Sequence, residues 1–102
     1  MPFKKILFVF FLIFSSSAFA DDKMALGLEV YNNKAQCGVC HTLQAAGSAG
    51  NIGPDLDQLK PPMSQIIYVV TNGIGVMQAL ESILTNEEIE AVAYYVFNST
   101  NK

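Results

Sequence analysis

The chain reads as a small all-α domain, and three features of the sequence predict this. Apolar residues recur at helical spacing over residues 23–34, again after Pro61-Pro62, and again after Thr85. No run shows the strict apolar–polar alternation of a half-buried strand. The stretches in between are rich in glycine, proline and small polar residues, so they read as loops. With 102 residues and no internal repeat, the chain has room for one domain.

Residues 1–20 read as an export signal rather than as part of that domain. Lys4 and Lys5 form a positive start, residues 6–14 are an unbroken apolar run, and Ala18-Phe19-Ala20 is a small-x-small cleavage site. An uncleaved anchor is the competing reading, but the apolar run falls short of the ~20 residues of a spanning helix. Cleavage after Ala20 leaves a domain over residues 21–102 in the periplasm. It also moves the formal net charge from −3 to −5.

The first helix is expected over residues 23–34, with Met24, Leu28 and Tyr31 on one stripe. Gly27 lies inside it, where glycine costs ~1 kcal/mol relative to alanine. Either another helix approaches closely there, or the glycine is merely tolerated.

Cys37-Gly38-Val39-Cys40-His41 follows, and these are the only two cysteines and the only histidine of the chain. C-x-x-C-H is the attachment pattern of a c-type haem. Two thiols at this spacing meet the two vinyl groups, and the next residue then lies under the iron. The competing readings lack partners. A structural zinc ion wants four N or S ligands, and no further Cys or His exists. A thioredoxin-like pair expects a βαβ setting. A plain disulfide suits an exported protein but leaves His41 without a task.

Residues 44–51 are small and glycine-rich, and Gly53-Pro54-Asp55-Leu56 closes the loop. Proline fixes a turn there. A second reading is that the Pro54 carbonyl folds over His41, because a ligating imidazole needs its other nitrogen hydrogen-bonded. After Pro61-Pro62, Ser64 is the expected N-cap of a helix through Ile66 and Val70, ending near Asn72-Gly73. Met63 and Tyr68 then form a hydrophobic staple. Thr85 with Glu88 reads as a capping box, opening a helix that buries Ile89, Val92, Ala93 and Val96, with Tyr95 beside them.

A haem with one histidine takes its other axial ligand from Met, water, Lys or Tyr. Met24 lies on a packing stripe, which leaves Met63 and Met77. Met63 already has the staple role. Met77 follows the flexible Gly73-Ile74-Gly75-Val76 segment, far enough along the chain to reach the opposite haem face, so it is the favoured ligand.

In this order the motifs resemble the class I c-type cytochromes, small mono-haem electron carriers, over essentially the whole of residues 21–102. Gly27 and Tyr31 match the glycine and aromatic of that family's first helix, Val92 and Tyr95 the last helix that crosses it. Gly53-Pro54-Asp55-Leu56 resembles the family's G-P-x-L turn, and Met77 falls at its axial methionine. The resemblance implies a cytochrome c fold of three to four helices around one covalently bound haem c, N- and C-terminal helices crossing. It implies Cys37, Cys40, His41, Met77 and Pro54 as cofactor-binding residues, with His41 and Met77 on the iron. Gln78 departs from the proline usual after the methionine. Arginine is absent, so Lys60 or Asn and Tyr side chains have to serve the propionates. Within the family, Cys40-His41-Thr42-Leu43, Leu56-Asp57-Gln58-Leu59-Lys60-Pro61 and Asn72-Gly73-Ile74-Gly75-Val76-Met77 look most like haem subunits of sulfite dehydrogenases.

The expected function is electron transfer rather than catalysis. The partners are redox proteins, a dehydrogenase donor and an oxidase or cytochrome acceptor. The acidic balance predicts basic docking surfaces on them. With no arginine and no basic stripe, nucleic acid is excluded. A ligand-binding haem protein is the alternative; with no second histidine and no arginine, only Tyr68, Tyr94 or Tyr95 is left as a distal base.

Overall fold

The computed structural model describes residues 18–102. Residues 1–17, the bulk of the expected export signal, lie outside the described residues. No described helix is long and apolar enough to cross a membrane.

Among the described residues four α-helices carry the fold, in the order α1 (Ala18–Glu29), α2 (Leu56–Leu59), α3 (Met63–Asn72) and α4 (Asn86–Thr100). Helix α1 starts earlier than its apolar stripe and ends in a π-helical turn, Val30–Lys34. The wider turn is closed by the Ala35 N–H on the Val30 carbonyl at 2.8 Å, and Val30 and Tyr31 are both buried. Met24 and Tyr31 face the core as expected, but Leu28 is exposed. The inward face is instead Met24, Gly27, Val30 and Tyr31.

Helix α4 is held at its start by the expected capping box. The Glu88 N–H donates to the Thr85 hydroxyl at 3.1 Å, and the Thr85 N–H donates to the Glu88 carboxylate at 2.8 Å. Ile89, Val92, Ala93, Tyr95 and Val96 are all buried. α4 crosses α1 at Gly27, where a Cβ would come within 2.5 Å of the Tyr95 Cβ and closer still to the Ala91 carbonyl oxygen. Glycine is therefore required by contact. Beside the crossing, the Tyr31 and Tyr95 rings pack with centroids 6.1 Å apart. Lys34 closes the same crossing with an ion pair to Glu88 at 2.6 Å.

Two expectations for α3 need correction. Its N-cap is Pro62, and Ser64 lies inside the helix. The two prolines hold the chain extended up to that point, and the Pro62 carbonyl takes the first bonds, from the Gln65 and Ile66 N–H groups at 3.1 Å each. No side-chain cap is needed. Tyr68 is 68% exposed, so it forms no staple with Met63. The helix does end at Gly73, whose φ of +77° and N–H bond to the Val69 carbonyl terminate it.

The loop after His41 is not strand-free. Thr42–Leu43 (β1) and Ser48–Ala49 (β2) pair antiparallel, with Thr42 opposite Ala49 and Leu43 opposite Ser48. Strands this short display no alternation, which is why the sequence pattern does not reveal them. A 3₁₀ turn over Gln44–Ala46 and Gly47 at φ +70° join them.

Candidate functional site

The helices and loops enclose a cavity of about 570 Å³, within the ~300–1,000 Å³ usual for cofactor and small-molecule sites. Cys37, Cys40 and His41 lie on one wall with Gly53, Pro54 and Leu56. Ile66, Val69 and Val70 of α3, Val92 and Val96 of α4, and Met77 with Leu80 complete a predominantly apolar lining.

The His41 wall is the more closely built. Cys37–Val39 form a 3₁₀ turn preceded by Gln36 in the left-handed region at φ +52°. That conformation is uncommon for a non-glycine residue and sets the direction in which the cysteine turn leaves α1. The His41 N–H bonds to the Cys37 carbonyl at 3.0 Å, and the Gly53 N–H to the Cys40 carbonyl at 2.7 Å. The His41 Nδ1 lies 2.7 Å from the Pro54 carbonyl oxygen. A carbonyl only accepts, so Nδ1 carries the proton and Nε2 keeps its lone pair for a metal. The Pro54 carbonyl thus lies against the His41 ring. Asp55 then caps α2 through the Asp57 and Gln58 N–H groups.

Gly53 is more than part of a turn, because it touches the site directly. A Cβ there would lie 2.6 Å from His41 Cε1 and 2.9 Å from Nδ1. Gly50 is similar: its Cβ would meet the Cys40 carbonyl carbon at 2.6 Å and the His41 nitrogen at 2.7 Å. The glycines of the 47–53 stretch signal a loop; that Gly50 admits the backbone of the C-x-x-C-H turn and Gly53 the His41 ring is visible only in three dimensions.

Met77 lines the cavity, while Met63 packs against the core and is absent from the lining. The Met77 segment is a tight turn in which Ile74 and Met77 exchange backbone bonds of 3.1 and 2.9 Å, with Gly75 at φ +56°. Leu80 ties its far end to the Val70 carbonyl at 2.9 Å.

Burial pushes the Cys37 thiol up to about 11. A thiol–disulfide catalyst needs the opposite shift, and the two cysteines are unpaired. Among the described residues no group of three or more His, Cys, Asp or Glu is placed to hold a metal ion. The donor set fits a large apolar cofactor that brings its own metal: two thiols and an oriented imidazole on one wall, a thioether sulfur in the lining, and glycine where a Cβ would block the imidazole.

Comparison with known proteins agrees. The family model described as cytochrome c oxidase, cbb3-type, subunit III, matches residues 22–96. The chain is 38% identical over 93 residues to chloroplastic cytochrome c6 of Chlamydomonas reinhardtii, covering 81% of this chain and 58% of that protein. It is 34% identical to cytochrome c6 of Tetradesmus obliquus, covering 76% of this chain and 92% of that one. The solved structure of the c-type cytochrome SorU from Sinorhizobium meliloti matches with a TM-score of 0.74 and 51% identity, over 80% of this chain and 95% of that one. The chain belongs to this cytochrome c family: it is a small class I c-type cytochrome with the cytochrome c fold, carries covalently bound haem c, and works in electron transfer.

Proposed function

We propose that this cytochrome is a periplasmic one-electron carrier in which Cys37 and Cys40 form the thioethers and His41 and Met77 take the axial positions. The observation that carries the reading is the Nδ1–H bond from His41 to Pro54, which leaves Nε2 as the metal-binding nitrogen. When bound, the haem supplies a one-electron iron couple, and a methionine ligand raises its potential. The protein's part is to hold both ligands in place and keep water out. His41 is fixed by its ring and backbone bonds; Met77 is brought to the cavity by a turn closed on itself. With His41 and Met77 both on the iron, the bound haem would offer no open site to an exogenous ligand.

The test is direct. In the pyridine haemochrome assay the purified protein should show one haem per chain, and acid–acetone should leave the colour on the polypeptide. Cys37→Ala should lose one thioether and most of the folded yield, because so small a domain depends on its cofactor for a core. Haem that extracts freely overturns the attachment. Carbon monoxide should not bind the reduced protein readily at neutral pH; ready binding overturns Met77 and favours a ligand-binding protein.

A docked role is the second reading, as the haem subunit of a sulfite dehydrogenase-type complex. It rests on the loop resemblances around Cys40, Leu56 and Asn72. The acidic surface favours a basic docking face on the donor. Rapid reduction by a molybdenum-containing sulfite dehydrogenase subunit, slowing as salt is added, is the expected result; no reduction removes this reading and leaves the carrier.

A further inference from the structure

The hydroxyl of Ser48 stands at a junction that the ligand set does not use. Its Oγ lies 2.9 Å from the Tyr31 hydroxyl, 3.1 Å from the Leu43 nitrogen and 3.0 Å from the His41 carbonyl oxygen. A serine hydroxyl has one proton and two lone pairs. The proton goes to the His41 carbonyl, the nearer of its two carbonyl acceptors, since Leu43 O is 3.5 Å away. The Leu43 N–H fills one lone pair. Tyr31 must therefore donate into the other, so the chain of bonds runs Tyr31 O–H to Ser48 O–H to His41 C=O.

Other features make this a built arrangement. Tyr31 is fully buried and lines the cavity, and burial pushes its hydroxyl up to about 12, so it stays a donor at any ordinary pH. Ser48 lies on β2, which pairs with the strand immediately after His41. A Cβ at Gly38, inside the cysteine turn, would come within 2.7 Å of the Ser48 Cβ. The serine is thus pressed against the very turn whose last carbonyl it holds. The His41 carbonyl also accepts from Gly50 N–H at 3.2 Å, so both of its lone pairs are engaged.

We propose that Ser48 is a positioning residue for the His41 ligand, coupling the Tyr31 phenol at the end of α1 to the backbone that aims the imidazole. This rests on His41 being the proximal ligand. Chains of hydrogen bonds polarise one another, so the two hydroxyls act as one device. Removing either loosens the orientation of the ring and shifts the iron's potential in the same direction.

The experiment uses the intact haem protein and the variants Ser48→Ala, Tyr31→Phe and the double variant. It measures reduction potential, the hyperfine-shifted His41 ring protons of the oxidised form, and thermal unfolding. In the wild type, shifted His41 ring protons establish the ligand independently; their absence overturns the ligand assignment rather than the role of Ser48. Ser48→Ala should move the potential and the ring-proton shifts. Tyr31→Phe should move both the same way and less, and the double variant should go no further than Ser48→Ala alone. Lower thermal stability with unchanged potential and ring shifts, or potential shifts that simply add, overturns the proposal. Should Ser48→Ala fail to assemble, Tyr31→Phe decides alone, since it deletes only the phenol oxygen: unchanged ring shifts and potential overturn the proposal.

Discussion

The two walls of the cavity hold their side chains in different ways. On the His41 side the histidine is fastened by directed bonds: its N–H to Cys37, its carbonyl to Gly50 and Ser48, its ring to Pro54. On the Met77 side a four-residue turn bonds to itself, and its tip projects outward, with Val76 91% exposed. Hydrogen bonds reach the His41 ring itself and fix its direction, whereas those of the Met77 turn join backbone to backbone and leave the thioether to packing, which fixes only position. An imidazole must present one nitrogen along one line; a flexible thioether only has to arrive. The difference also accounts for Gln78: with Ile74 and Met77 already exchanging two bonds, the turn is closed without the proline usual at the next position.

The strongest break of this comparison is Met77→Ala. It should abolish the long-wavelength sulfur-to-iron absorption band, lower the potential and admit carbon monoxide, while the protein stays coloured because the other wall is untouched. Met63→Ala, at a partly buried packing site, should leave the band intact and cost only stability, about 2 kcal/mol. The reverse pattern in the absorption spectrum would reassign the ligand.

A second test strikes the frame that both walls share. Gly27→Val inserts a branched side chain against the Ala91 carbonyl and Tyr95. It should cost about 3 kcal/mol in chemical denaturation, at the upper end of overpacking penalties. Ala25→Val, at an exposed position of the same helix, should cost only about 0.5 kcal/mol, the difference in helix propensity. Equal costs would mean that the crossing is not the clamp.

Smaller and more pointed is a pair of glycine-to-alanine changes, one on each wall. Gly53→Ala drives a Cβ into the His41 ring and should disturb the Pro54 bond, costing about 1–3 kcal/mol with altered His41 ring resonances. Gly75→Ala meets no atom within 4 Å, but its φ is +56°, so it should cost about 1 kcal/mol of backbone strain without moving those resonances. If both changes disturbed His41 alike, the contrast between the walls would fail.

The mildest effect concerns the link between them. Lys34, just before the cysteine turn, pairs with Glu88 at the start of the helix that follows the Met77 segment. The Lys34 bond first, then the bond from the Thr85 N–H, hold the Glu88 carboxyl below its ordinary 4.5. A depressed folded-state value stabilises the fold wherever the carboxylate is ionised. The contribution is thus complete above about pH 5 and fades as pH falls through the lowered value. Unfolding of wild type and Glu88→Gln from about pH 6 to about pH 3 should show a gap that closes only at the acid end. The exposed setting keeps it small and salt-sensitive.

Much of this protein is legible before any coordinates. The C-x-x-C-H run, the capping box at Thr85 and Glu88, the Gly73 helix stop and the α4 stripe are local patterns. Each is set by the chemistry of residues within a few positions of one another, so the sequence by itself determined them. Export over residues 1–20 remains an expectation of the same local kind. Tertiary structure decided the rest. Leu28 repeats at helical spacing but faces outward, because α4 packs against the neighbouring face that carries Gly27, Val30 and Tyr31. Ser64 has the composition of a cap, yet the helix begins after Pro62, whose carbonyl suffices. The Ser48 hydroxyl gains its place from partners at positions 31, 41 and 43, set by a hairpin too short to leave a pattern. Contacts between distant residues leave no periodic trace in a single chain, and only folding shows which polar atoms meet.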